Sequence, residues 1–195
     1  NGLVKRAEYS EEMKTVFDLS EKTKNEINGY FDIRNKNGKY DPSGLVKGWA
    51  IYNMSKLLKK NGCNNFLIDI GNDLQLCGCN RNKKPWAVGI RNPFKFSEVV
   101  KVVHLKDKGI ATSGKYARGE HIYNPHNYKD ALGDILSVTV IGPNIYEADR
   151  FATPAFAMGR AGVHFIEKLR GFEAYMIDKS GIGIMTSGFE KYTKI

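Results

Sequence analysis

Four stretches gather the residue types that do chemistry, and the densest runs from Gly109 to Pro125 as GIATSGKYARGEHIYNP. Hydroxyls at Thr112 and Ser113 and a tight turn at Gly114 are followed by cations at Lys115 and Arg118, then by Gly119, Glu120 and His121. That set suits a phosphorylated ligand held beside a proton acceptor, because an imidazole titrates near neutrality. A lone histidine is more often an ordinary surface or core residue. Here Ser113, Gly114, Arg118 and Glu120 surround it, whereas His104, His126 and His164 have no such company.

The other three stretches supply what that loop lacks. In DPSGLVKGWA, Asp41 to Ala50, a glycine turn ahead of a helix offers backbone N–H groups to an anion, with Lys47 adding charge. The spacing is not that of a Walker A loop, and the plainer reading is a capped helix with a solvated lysine. Asp69-Ile70-Gly71-Asn72-Asp73 places carboxylates at the end of what reads as a buried strand, where they orient a ligand or merely cap a turn. In EADRFAT, Glu147 to Thr153, Asp149 and Thr153 are one helical turn apart and present a carboxylate and a hydroxyl on one face. Oxygen donors of that kind suit Mg²⁺, which keeps several waters and completes its shell with phosphate. The alternative is a helix-start charge favouring the dipole, with Thr153 bonding back to a carbonyl.

Positioning those residues requires a framework of mixed elements. Ser10 reads as the cap of a first helix carrying Met13, Val16 and Phe17, ended by Gly29, and Tyr30 to Ile33 as a short strand before an Asn37-Gly38 turn. A second helix after Gly44 has Ile51, Met54, Leu57 and Leu58 on one face and stops at Asn61-Gly62. Strands are expected at 65–70, 74–79, 86–90, 99–105 and 137–141. A helix is expected over 148–159, with Pro154 kinking it or marking its first turn. A short helix at 163–169 and strands at 174–177 and near 182–185 close the chain. Because strands and helices do not strictly alternate, the fold class is α+β, a mixed sheet with packed helices in a single domain over 1–195.

Composition narrows the function classes. The 195 residues carry 42% apolar and 26% charged residues, enough for one real core. No run approaches the ~20 apolar residues of a membrane span, so none is expected. The net charge of +9 suits a phosphorylated ligand, yet the lysines are scattered and no basic block appears, so no nucleic-acid partner is expected. Cys63, Cys77 and Cys79 are an odd number, so no disulfide framework is expected, and Cys77 and Cys79, without zinc-finger spacing, read as buried strand cysteines on one strand face. Free thiols lean toward a cytoplasmic setting. The first residue, Asn1, is read as lying inside a longer gene product, with an exported or lipid-anchored form as the alternative.

Taken in order, these stretches resemble the ApbE-type flavin transferases, the FAD:protein FMN transferases. The resemblance runs through FDLSEKT, YFDI, DPSGLVKGWA, IDIGNDL, WAVGIRNP, GIATSGKYARGEHIYNP, SVTVIGP, ADRFATPAFAMG and EAYMID. The family's further N-terminal segment, with a first strand and helix, is expected to be missing. The resemblance implies FAD as substrate, Mg²⁺, and a target protein whose Ser or Thr hydroxyl receives the FMN phosphoryl with release of AMP. It implies His121 as the base, Asp149 and Thr153 as metal ligands with a backbone carbonyl near Gly44, and Lys47, Asp73, Thr112, Ser113, Gly114 and Arg118 around flavin and phosphate. Two positions depart from the family pattern. Asn124 stands where His-Ile-x-Asp-Pro has a carboxylate, with the following Arg-Thr-Gly replaced by His126-Asn127-Tyr128, and Asn72 replaces the second glycine of Gly-Gly-Asp. The alternative readings are an FAD pyrophosphatase giving FMN and AMP, and a flavin-binding module without turnover.

Overall fold

The structure is a computed structural model that describes residues 4–35, 37–114, 122–127 and 133–194. Its strands alternate apolar residues between two faces, and each face finds a different cover. β1 (Phe66–Ile70), β2 (Asp73–Cys77), β5 (Gly109–Gly114), β6 (Ile135–Gly142), β7 (Glu173–Asp178) and β8 (Gly183–Met185) form an antiparallel sheet in the order β1-β2-β5-β6-β7-β8. β3 (Trp86–Arg91) and β4 (Val99–Leu105) form a separate two-stranded ribbon.

One sheet face, carrying Ala111, Val138, Val140, Ala174 and Met176, packs with helix residues in the larger core. The opposite face, carrying Leu74, Leu76, Ile110 and Ile141, packs with Val88, Ile90, Val103 and Leu105 of the ribbon. This two-residue alternation decides which side chain of each neighbouring pair reaches the helices.

The helices are α1 (Glu11–Glu26), α2 (Ser43–Lys60), α3 (Ile145–Ala157) and α4 (Ala161–Glu167). Ser10 caps α1 by accepting the Met13 N–H, and Asn144 caps α3 by accepting the Glu147 N–H. α3 is seated on the sheet by Gln75, whose buried side chain accepts the Ile145 N–H at 2.9 Å and donates to the Lys108 carbonyl at 3.2 Å. A Cβ on Gly109 would lie 2.0 Å from the Ile145 nitrogen, so only glycine allows α3 to start directly over β5. Arg150, buried on α3, clamps α1 through Glu26 and its own helix through Glu147, and covers the Phe151 ring at 4.1 Å. Its guanidinium is held above its ordinary pKa by these carboxylates, against the desolvation that opposes it.

The α+β expectation holds, as does the stop at Asn61-Gly62, where Gly62 has φ 83°. Several local expectations do not. Tyr30 to Ile33 is not a strand: only Arg34 and Tyr40 bridge, while Phe31 and Ile33 bury their side chains in the helix-side core. α2 begins at Ser43, so Gly44 lies within its first turn. The buried face of α2 is Leu45, Gly48, Ile51 and Ser55, leaving Met54 and Leu57 exposed, because the helix packs around its glycines. Asp69 and Ile70 are exposed at the sheet edge rather than buried. β2 ends at Cys77, since Gly78 turns away with φ 58°; of the Cys77–Cys79 pair only Cys77 is buried, and Cys79 is half-buried. α3 starts three residues before Ala148, and Pro154 falls in its last turn, not its first. The stretch from Gly109 to Gly114, read as the lead-in to a loop, is a central strand.

Candidate active site

The site lies where β2 and β5 meet α2 and α3 on the helix side of the sheet. The β1–β2 hairpin turns through Gly71 (φ 63°) and Asn72 (φ 68°), the two left-handed residues that a type I′ turn requires. Asparagine tolerates that angle, and Asp69 Oδ1 accepts the Asn72 N–H at 3.1 Å. The hairpin thereby places Asp73 at the start of β2 with its side chain buried toward α2. Its Oδ1 accepts the Thr112 N–H at 3.2 Å, and its Oδ2 pairs with Lys47 Nζ at 2.5 Å. Asp73 therefore links α2 to the middle of β5.

Alternation along β5 separates Thr112 from Ser113. The Thr112 hydroxyl bonds the Thr139 hydroxyl at 2.9 Å, a cross-strand pair in register, whereas the Ser113 hydroxyl lies 3.2 Å from Thr153 Oγ1 on α3. One turn earlier on α3, Asp149 is buried, and its Oδ2 accepts the Gly48 N–H at 2.7 Å. In a regular helix that N–H belongs to the Gly44 carbonyl, so Asp149 competes for it. Helices α2 and α3 approach closely enough that a Cβ on Gly48 would sit 2.6 Å from Asp149 Cβ. A Cβ on Gly44 would sit 3.4 Å from Thr153 Oγ1. The Gly44–Gly48 pair, one turn apart, is what admits the two oxygen donors of α3 to the first turn of α2.

These residues open on a cavity of about 490 Å³, within the range of small-molecule sites. Gly44, Lys47, Asp73, Thr112, Ser113, Gly114, Asp149 and Thr153 all line it. Arg118 and His121 lie outside the described residues. Phe31, Asp32, Asp41, Phe96 and Tyr123 also line it, and none of them was singled out from the sequence. Their only advance signal was an aromatic or carboxylate beside a turn. Gly48 was missed as well, although a second glycine one turn after Gly44 does mark close helix approach. On the far wall, residues 122–127 dock against the segment after α1, with the Tyr123 hydroxyl donating to the Asp32 carbonyl at 3.2 Å and Tyr30 edge-on to His126. Asn124 Oδ1 accepts the His126 N–H at 3.0 Å, so the asparagine performs the local turn-holding role open to a carboxylate.

The donor set fits a hard cation. Asp149, Thr153, Ser113 and the first-turn carbonyls of α2 are all oxygen donors, and no cluster of three His, Cys, Asp or Glu side chains occurs among the described residues. Mg²⁺ takes oxygen donors of this kind and is normally completed by water and substrate phosphate.

Relatives of known name share this arrangement of sequence and fold. The profile of the ApbE family matches residues 2–176. An "FAD:protein FMN transferase" of Klebsiella pneumoniae is 30% identical over 155 residues, covering 75% of this chain and 44% of that protein. The Escherichia coli K12 protein of the same name gives the same four values. The chain thus spans less than half the length of the curated relatives it matches. Of the solved structures, the flavin transferase ApbE from Vibrio cholerae superposes with TM-score 0.81 at 21% identity, over 94% of this chain and 77% of that one. The ApbE protein from Thermotoga maritima gives 0.85 at 20% identity, over 96% and 80%. At that identity the structures speak for the fold. With the family pattern running through nearly the whole sequence and the same α+β architecture beneath it, this chain belongs to the ApbE family.

Proposed function

We propose that the chain carries an FAD:protein FMN transferase activity, dependent on Mg²⁺. The observation that supports it is the convergence of Lys47, Asp73, Ser113, Asp149 and Thr153 on one cavity that a phosphorylated ligand can enter. The named relatives support the same reading. In it, the oxygen of an acceptor Ser or Thr bonds to the FMN phosphorus, the anhydride P–O bond on the AMP side breaks, and AMP leaves carrying the former bridging oxygen. The hydroxyl proton passes to His121. Lys47 lies against the phosphates and is itself held in direction by Asp73. A Mg²⁺ held by Asp149, Thr153 and a carbonyl near Gly44 would neutralise the anhydride charge that repels an incoming oxygen.

The remaining residues orient and exclude. Ser113 and Gly114 bring backbone close to the phosphates, Thr112 fixes Asp73 through its N–H, and Arg118, which follows β5 in the sequence, adds charge. Phe31 and Phe96 supply apolar walls for the flavin. The test is incubation with FAD, Mg²⁺ and a Ser/Thr-bearing protein acceptor. Covalently fluorescent acceptor and free AMP are expected in equal amounts. His121→Gly is expected to lose labelling while FAD still binds. Bound FAD with neither product would refute the proposal, and free FMN without labelled acceptor would assign the site to pyrophosphate hydrolysis.

A further inference from the structure

A second cavity, about 250 Å³, lies on the opposite face of the sheet, between it and the ribbon. Its floor is made of Leu67, Asp69, Leu74, Ile110 and Thr112, the alternate residues that one face of a sheet presents. Its wall is different in kind. Five consecutive residues of β3, from Ala87 to Arg91, line it. Successive side chains of a strand point to opposite sides, so an unbroken run of lining residues means that the backbone edge borders the space. Among the described residues β3 pairs only with β4, and alternate N–H and C=O groups along its other edge therefore have no strand partner. The edge is firmly placed: Val88 and Ile90 are buried beneath it, and the Trp86 indole N–H donates to the Cys77 carbonyl at 3.0 Å.

This groove adjoins the candidate active site at the β1–β2 turn, where Asn72 and Thr112 line both cavities. We infer that the edge of β3 left without a strand partner among the described residues receives an extended segment of the acceptor polypeptide, which adds as a strand and presents its hydroxyl at the Asn72–Thr112 junction. The inference rests on the transferase reading above. An unpaired backbone edge recognises another backbone, with alternate side chains of the guest falling on a floor of Leu67, Leu74 and Ile110 edged by Asp69 and Thr112. Five residues of extended chain cover about 17 Å, longer than a small ligand needs. A second copy of this chain would satisfy the edge equally well, but only a segment carrying the acceptor group gains from lying beside the phosphate-binding cavity.

The test uses the whole chain and a pool of synthetic peptides of about ten residues, each with one serine or threonine. Hydrogen exchange is followed without FAD, and FMN transfer to the same pool is read separately by fluorescence. Amide exchange across 87–91 is expected to slow about tenfold on adding the pool. Labelling without protection of 87–91 overturns the groove and leaves the transferase reading intact. Protection without labelling keeps the groove and removes that reading. Protection that rises with protein concentration alone, with a dimer mass, assigns the edge to a second copy and overturns the inference. For a labelled peptide, backbone N-methylation is expected to weaken KM by about tenfold at alternate positions only. Uniform tolerance refutes strand pairing even if variants of the protein fail to fold. Leu67→Trp, which fills the groove from its floor at the end away from Asn72 and Thr112, is expected to raise the peptide KM by about tenfold with kcat changed less than about twofold. An unchanged KM in the folded variant counts against the groove.

Discussion

Substituting Gly48 by alanine tests the crossing on which the whole site depends. In an exposed helix the change would stabilise by about 1 kcal/mol, because alanine is the better helix former. In this chain the new Cβ would meet Asp149 Cβ at 2.6 Å, Asp149 Oδ2 at 2.8 Å and the Ile145 carbonyl oxygen at 2.9 Å. Carbon contacts are comfortable near 3.5–4.0 Å, and the Ile145 carbonyl is backbone that no rotamer change can move. Helices α2 and α3 must therefore part by about 1 Å, which stretches the 2.7 Å bond from the Gly48 N–H to Asp149 beyond hydrogen-bonding range. Overpacking costs about 1–3 kcal/mol, and loss of a bond to a charged group costs about 1.5–3 kcal/mol. After the helix-propensity gain the net loss is about 1.5–5 kcal/mol, a fall in Tm on the order of 10 °C for a chain of this length. Thermal unfolding by circular dichroism measures it, and a titration with FAD measures the accompanying displacement of Asp149 as weaker binding. Gly44→Ala is the graded control, since its Cβ would meet Phe31 at 3.0 Å and Thr153 at 3.4 Å, a milder conflict relieved by side chains. A Gly48→Ala chain that melts at or above the wild-type temperature would refute the close crossing, because the sign of the effect depends on it.

Lys47→Met leaves the Asp73 carboxylate, which is 1% exposed, without its ion pair; unfolding in urea is expected to show a loss of about 3 kcal/mol. Adding Asp73→Asn in a double-mutant cycle should recover part of it. Gln75→Leu removes the acceptor of the Ile145 N–H and is expected to cost about 2–3 kcal/mol by the same measurement. Thr153→Val keeps the shape of α3 but removes the hydroxyl near Ser113, so turnover of FAD should require more Mg²⁺ while Tm changes by only a few degrees. Burial raises the pKa of Tyr146, Tyr175 and Tyr192. Above about pH 10 the unfolded chain loses those phenolic protons while the folded chain keeps them, so the unfolded state binds fewer protons and stability falls as pH rises. Tyrosinate absorbance should therefore appear together with unfolding, and ionisation of all ten tyrosines in a folded chain would contradict it.

Local signals sufficed wherever the deciding contact lies within a few residues. The Ser10 cap, the Asn61-Gly62 stop, the Gly71-Asn72 hairpin turn and the one-turn spacing of Asp149 and Thr153 are of this kind. The chemical character of the site, oxygen donors with a lysine and hydroxyls, was accordingly stated by the sequence alone. Tertiary packing decided the rest. Met54 and Leu57 look like a buried face on a helical wheel, yet α2 turns Gly48 and Ile51 inward because only glycine lets α3 approach so closely. Gly109 to Gly114 lacks the usual strand composition and is nonetheless a central strand, since β2 and β6 on either side satisfy its backbone. That pairing also sends Ser113 toward Thr153 and the Thr112 hydroxyl toward Thr139, a division that follows from register and that no inspection of the two adjacent residues supplies. Spacing along the chain determined which groups could act, and the crossing of α2 over α3 above β5 decided which of them meet.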